Sequence, residues 1–193
     1  DFSGKTPHYQ VESQLDNIRL NRLNIFGKDN NNVLKTHLTL DFTGNNTDNL
    51  LGKLEIDNLF LKEFDDTLNI NQLALLVENI KGDKSISLNS EIIDININGY
   101  ISFKSLYNDF LNYFNHYLKK SDALTLKDYK ASEEDYDFFI KIKQMNPFLN
   151  IFFPIVNISE NSFIKGSFNN YEQKIHLDFI ADYLVYDITK FKN

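Results

Sequence analysis

The sequence contains no cysteine and no tryptophan, one methionine, and only three prolines and seven glycines among 193 residues. The lack of cysteine excludes disulfide bonds and thiol chemistry, and it leaves the redox compartment open. So few prolines and glycines argue against a disordered or loop-dominated chain. No apolar run approaches the ~18 residues that indicate a transmembrane helix, and the first residues lack the charged-then-apolar pattern of a signal peptide.

Positive charge is also scarce, because 20 basic residues face 27 acidic ones and the net charge is −7. Nucleic-acid binding requires a basic face, so this balance argues against a nucleic-acid partner. The same charge disfavours adsorption to an anionic membrane surface.

Signatures of catalysis are missing as well. The sequence has no H-E-x-x-H motif, no Walker loop and no G-x-S-x-G motif. The four histidines show no metal-ligand spacing; they are His8, His37, His116 and His176. The acidic run at 133–137 lacks the glycine and the alternating ligands of a calcium loop, so it is interpreted as a solvated loop. We therefore expect no enzyme activity, no metal and no cofactor.

Apolar alternation is what the sequence has in abundance. From Ile93 to Phe103, every second residue is Ile, Gly or Phe, and most of those between are Asp, Asn or Ser. This period of two predicts an eleven-residue strand of ~36 Å, about twice the usual length. The richness in Phe, Tyr and Ile favours strands throughout the chain.

Similar alternation at 33–42, 50–61, 136–142 and 175–186, with polar turns between, predicts about eight long strands. The phase slips near Gln72, which indicates a β-bulge. The glycines inside predicted strands mark a bend or a close approach of backbone; they are Gly52, Gly99 and Gly166.

Two segments are predicted to be helical. Apolar residues recur at three and four positions over 105–120, which predicts an amphipathic helix. A short helix is predicted from Asn146-Pro147 to Phe153, ended by Pro154.

One continuous apolar face allows several architectures. A closed sandwich core is the usual use of such a face, and a lipocalin-like barrel fits the strand number. A transmembrane barrel fits the strand pattern alone, but the mid-chain helix and acidic loop count against it. Two interpretations therefore stay open, a curved groove with an apolar lining and a filled core plugged by the helix.

Three segments carry a resemblance to a known family. They are LTLDFTGNNTDNLLGKLEIDNLFL (38–61), KSISLNSEIIDININGYISFKSL (84–106) and DYDFFIKIKQMNPFLNIFFPIVNISENSFIKGSFNN (135–170). In the second segment, the order of features is the same as in the family: a strand, a glycine, a strand, a phenylalanine and then a helix. From about residue 33 onward the chain resembles the Bacteroidetes-type C-terminal region of the translocation and assembly module TamB family, which is AsmA-like. The shared motifs are degenerate, being alternation and glycine rather than catalytic residues.

The resemblance implies a mainly β fold, an elongated, curved β-groove (β-taco) of long strands with an apolar lining and one or two helices. It implies a segment of a periplasm-spanning groove that carries phospholipids between inner and outer membrane in outer-membrane biogenesis. Expected partners are phospholipid acyl chains and an Omp85-type outer-membrane barrel (TamA-like). The alternative role is a scaffold for assembly of outer-membrane β-barrel proteins. Residues 1–193 are interpreted as a single fragment of a longer protein anchored in the inner membrane.

The apolar side of the predicted strands is the candidate lipid-binding lining. Its predicted members are Leu34, Leu38, Leu40, Phe42, Leu54, Ile56, Ile93, Ile95, Ile97, Ile101, Phe103, Phe138, Ile140, Ile142, Ile175, Leu177 and Phe179.

Overall fold

A computed structural model describes residues 6–19, 33–102, 134–172 and 174–186. Strands hold 70% of the described residues, which confirms the mainly β prediction. The helix predicted at 105–120 and the lining residue Phe103 lie outside the described residues.

The described strands follow one another along the chain, and short turns join those between residues 51 and 100. Their bounds are β1 His8–Arg19, β2 Val33–Thr43, β3 Leu51–Glu63, β4 Asp66–Ile80, β5 Asp83–Ser90, β6 Ile93–Tyr100, β7 Asp135–Ile142, β8 Val156–Ile158, β9 Phe163–Asn169, β10 Lys174–Ile180 and β11 Leu184–Tyr186. Within the described ranges, the α-helix α1 spans Asn146–Phe152 and a 3-10 turn spans Thr47–Asn49.

Nine strands form one antiparallel sheet in the order β1-β2-β3-β4-β5-β6-β7-β9-β10, and β8 and β11 form a separate pair. As far as the described residues show, the large sheet is a meander that is interrupted where α1 and β8 leave it. Over the described ranges its outermost strands, β1 and β10, do not pair with each other, so the sheet is open. An open sheet of this size is consistent with the predicted curved β-groove.

The strand predicted at 93–103 is shorter than expected, because β6 ends at Tyr100 after 8 residues. Its ladder with β7 ends where Tyr100 pairs with Asp135, the first residue of β7. No described strand lies beside Ile101, so the extended pairing stops there. The longest strands are instead β3 and β4, with 13 and 15 residues.

The final strand predicted at 175–186 is divided into β10 and β11. The buried Ser159 explains the division, because its hydroxyl accepts hydrogen bonds from the backbone N–H groups of Asp182 (2.9 Å) and Tyr183 (3.2 Å). The Ser159 backbone N–H also donates to the Tyr183 carbonyl at 3.1 Å. The chain is thereby turned away from β9, and β11 pairs with β8.

Bulges change which residues face the core in one corner of the sheet. Asn17 and Asn58 have φ of 53° and 51°, a left-handed conformation that asparagine tolerates better than most residues. The register shifts beside Asn17 in the β1–β2 ladder, and between Lys35 and His37 in the β2–β3 ladder. On β4 the buried positions change parity after Ile70, which confirms the slip predicted near Gln72.

Buried apolar residues form clusters at two ends of the same sheet face. The helix end, covered by Phe148 and Ile151 of α1, contains Leu61, Leu68, Ile70 and Ile92. The loop end, against which Leu50 and Leu51 pack, contains Phe42, Val77, Ile86 and Ile101. A third cluster, of Ile142, Leu149 and Ile158, joins α1 to β7 and β8.

Candidate functional site: an apolar face uncovered in its middle

Strand pairing places the described members of the predicted lining on one face of the sheet. Directly paired residues of neighbouring strands project to the same side. The ladders pair Leu38 with Ile56 and Ile97 with Phe138, and they continue outward until Leu177 lies opposite Gly166. Ile101 follows β6 and is buried in the loop end.

The same pairing adds residues that the sequence prediction missed. They are Leu73, Leu75 and Val77 on β4, Ile86 and Leu88 on β5, and Ile164 and Phe168 on β9. The alternation S-I-S-L-N-S at 85–90 was a usable signal for β5. On β4 the parity change hid the pattern, and on β9 a glycine stands where the middle apolar residue would be.

Between the two ends lies a row of apolar side chains that belong to none of the clusters. This middle band consists of Leu38, Ile56, Leu88, Ile95, Phe138 and Ile164. All six are half-buried, whereas the residues at the centre of each cluster are almost fully enclosed. Cluster members next to the band, such as Ile93 and Ile97, are half-buried as well. The band is therefore partly shielded from water without being filled by the described side chains.

The middle band runs across the strands rather than along them. On β6, for example, Ile93 packs at the helix end, Ile97 packs at the loop end, and Ile95 lies between. From β2 to β9 the band covers six strand spacings in the sheet order, and on β4 it passes between Leu73 of the helix end and Leu75 of the loop end, which are also half-buried. At ~4.8 Å per spacing its length is about 29 Å.

A turn between β2 and β3 closes the loop end. The Lys84 ammonium group donates to the Asp48 carbonyl at 2.6 Å, and the Ser102 hydroxyl donates to the Asp48 carboxylate at 3.2 Å. Lys84 shares the apolar face with Ile86 and is only 8% exposed. Burial lowers the pKa of Lys84, and the nearby Asp48 carboxylate opposes that shift without cancelling it.

Glycines on this face lie directly opposite aromatic residues. Gly99 pairs with Tyr136, and its φ is +139°. A Cβ at Gly99 would approach the Asp135 carbonyl to 2.2 Å, and a Cβ at Gly166 would meet the Phe138 ring at 2.7 Å. The predicted close approaches are thus confirmed at both glycines, and the Phe138 ring lies over Gly166 as part of the floor of the band.

The opposite face of the sheet is mainly polar, although Leu76 and Phe139 are exposed on it. His37 lies 3.4 Å from the Glu12 carboxylate, and Lys53 lies 3.0 Å from Glu55. These pairs are exposed, so each contributes at most about 1 kcal/mol to stability. These pairs keep the outer face soluble in water, and they do not form a binding site.

One sequence prediction about the acidic run is wrong. Glu134 is not solvated but 1% exposed. It lies immediately before β7, and its carbonyl accepts a hydrogen bond from the Asn170 backbone N–H at 2.9 Å. Glu134 is therefore enclosed at the end of the β7–β9 ladder, next to the first residue pair, Asp135 and Asn169.

Within the described ranges, no group of three or more His, Asp or Glu side chains is arranged to hold a metal ion. The same ranges contain no helix with the length and apolarity needed to span a membrane. Comparison with protein-family models, curated proteins and solved structures gives no match.

Proposed function

We propose that this chain is a segment of an apolar groove that shelters phospholipid acyl chains. The observation that carries the proposal is the middle band, a strip of half-buried aliphatic and aromatic side chains between two closed ends. The band offers no polar partner to a ligand beyond backbone already used in the ladders. Its chemistry therefore suits a hydrocarbon.

The length of the band supports this ligand. The hydrocarbon core of a bilayer is ~30 Å thick and contains two layers of acyl chains, so one chain spans about 15 Å. A band of about 29 Å is long enough to hold an acyl chain at more than one position along its axis.

The energetics suit transport as well as binding. Burial of one CH₂ group is favourable by ~0.8 kcal/mol, so a chain with about ten CH₂ groups half sheltered gains roughly 4 kcal/mol. Because this attraction is non-directional, a chain can slide along the band without breaking specific bonds. The headgroup stays in water and needs no recognition site.

The family resemblance supports the wider setting of this groove. In that setting the groove lies in the periplasm of a protein anchored in the inner membrane, and it passes phospholipid toward an Omp85-type barrel in the outer membrane. The chain acts as a passive conduit and not as an enzyme.

Two measurements test the proposal on the purified chain. Mass spectrometry of protein prepared from cells should find co-purified phospholipid, and a fluorescent fatty acid should bind with saturation. Leu88→Gln, in the band, should weaken fatty-acid binding, whereas Asn89→Gln, the next residue on the polar face, should not. Lipid-free protein that does not bind fatty acid would overturn the proposal.

The open sheet favours a second candidate, the scaffold for outer-membrane β-barrel polypeptides. The observation behind it is that β1 and β10 are sheet edges in the described part of the chain, and an open edge can accept an extended strand. Capture of β-strand peptides by lipid-free protein would favour the scaffold, and bound lipid without peptide capture would favour the conduit.

A further inference from the structure

The edge strand β10 is unusually well prepared to pair with another strand. It pairs with β9 without interruption from Lys174 to Ile180, and no second described strand lies on its other side. Its side chains on the apolar face are all exposed: Ile175 is 46% exposed, Leu177 58% and Phe179 41%. Straight, apolar edges of this kind pair with other chains unless they are protected.

The other edge shows what protection looks like in this molecule. Strand β1 has a bulge beside Asn17, where its register with β2 shifts. Its outer face has the acidic residues Glu12 and Asp16. Bulges and charges are devices that prevent edge-to-edge association. Strand β10 has polar residues on its outer face as well, Lys174, His176 and Asp178, but it has no register shift and no proline.

We propose that β10 pairs antiparallel with β10 of a second copy of this chain, about a two-fold axis at Leu177. The sequence of β10, K-I-H-L-D-F-I, is nearly symmetric about Leu177 in its chemistry. In this register all seven residues of each strand pair. Ile175 lies opposite Phe179 of the second copy, which continues the apolar face of one sheet into the next.

Charge selects this register over its neighbours. With the axis at Leu177, His176 lies opposite Asp178 of the second copy, twice in each dimer. Moving the axis to Asp178 would place two carboxylates directly opposite each other, and like charges in such positions are destabilising. Moving it to His176 would lose both pairs of imidazole and carboxylate, which can hydrogen-bond to each other when they lie opposite.

The interface involves one strand from each copy, so the dimer depends on protein concentration and is weaker than an obligate dimer. The inference stands apart from lipid binding, because it uses the sheet edge and not the middle band. A lipid-free chain is expected to dimerise in the same way.

The cysteine-free chain permits a specific crosslinking test. Leu177→Cys places the thiol of one copy opposite the same thiol of the second copy. Paired residues in an antiparallel ladder have Cα atoms within the 4.4–6.8 Å that a disulfide needs. The variant should form a disulfide dimer on mild oxidation. Ile175→Cys should crosslink poorly to itself, but it should crosslink efficiently to Phe179→Cys in a mixture of the two variants.

Sedimentation of the 193-residue chain gives an independent test. Wild type should show a concentration-dependent dimer, and Leu177→Asp should raise the dissociation constant at least about tenfold while melting like wild type. Val11→Asp, a matched change on the exposed apolar side of β1, should leave the dimer intact. A wild type that is monomeric at all concentrations, or equal self-crosslinking by Leu177→Cys and Ile175→Cys, would overturn the proposal. Loss of the dimer in Val11→Asp but not in Leu177→Asp would move the interface to β1 and overturn it as well.

Discussion

Leu68 and Leu88 illustrate the difference between the ends and the middle of the same sheet face. Leu68 is 2% exposed beneath α1, whereas Leu88 is half-buried in the middle band. Both are strand leucines with apolar cross-strand neighbours, Leu61 and Ile95 respectively. What differs is the cover, since a helix lies on one and none of the three clusters includes the other. The same local pattern therefore produces core at one place and groove at another.

The largest expected difference between the ends and the middle is in the stability lost when a leucine is truncated to alanine. Leu68→Ala removes side-chain volume from an enclosed cluster and should lower the free energy of unfolding by about 2–5 kcal/mol. Leu88→Ala removes the same atoms from a surface already partly in water, so it should lower it by only about 1 kcal/mol. Denaturant titration of both variants measures the difference. Equal losses would mean that the middle is as closed as the ends.

A second contrast concerns backbone contact at the loop end. Gly99→Ala would push a Cβ against the backbone of Asp135 and Tyr136, at 2.2 and 2.6 Å, whereas Gly82→Ala meets no atom within 4 Å. Both residues have positive φ, 139° and 105°, so each substitution should strain the backbone by about 1–3 kcal/mol. The clash should make Gly99→Ala about 1–3 kcal/mol worse than Gly82→Ala. Similar melting temperatures for the two variants would contradict the close approach.

The buried Lys84 gives the loop end a pH dependence. Because burial lowers its pKa below the ordinary 10.5, the unfolded chain retains this proton to higher pH than the folded chain does. Between the two pKa values unfolding takes up a proton, so a rise in pH favours the folded state.

Comparison with Lys84→Met isolates this effect from the other titrating groups. The stability of wild type relative to the variant should increase as the pH approaches 10.5, and it should be constant at neutral pH. Denaturant titrations of both proteins between pH 7 and 10.5 provide the measurement. A difference that falls over the alkaline range would show that the ammonium form is favoured in the fold.

Much of the strand pattern could be predicted from the sequence because a period of two is a local signal. Ile93, Ile95 and Ile97 reveal the face of β6 without any knowledge of its neighbours. The end of β6 could not be predicted in this way, since it depends on where β7 begins. The division of the last strand likewise depends on Ser159, which is distant in sequence from Asp182 and Tyr183.

The candidate site was only partly visible for the same reason. Alternation shows which side chains share a face, but it does not show which of them are covered. Leu34 and Leu38 look equivalent in the sequence, yet Leu34 packs at the helix end and Leu38 lies in the middle band. The cover comes from α1 and from the turn at Asp48, whose positions are fixed by tertiary contacts.

The most direct measurement of the groove places a charge in the middle band. Ile95→Asp should be compared with Asn96→Asp, its neighbour on the polar face, by thermal melting together with bound lipid per protein. An unpaired carboxylate is strongly disfavoured among acyl chains, but in an open band it can reach water. We predict that Ile95→Asp stays folded and loses its lipid, while Asn96→Asp retains both fold and lipid. Unfolding of Ile95→Asp would indicate a filled core, and a folded variant with its full lipid load would contradict the assignment of the band as the lipid-binding surface.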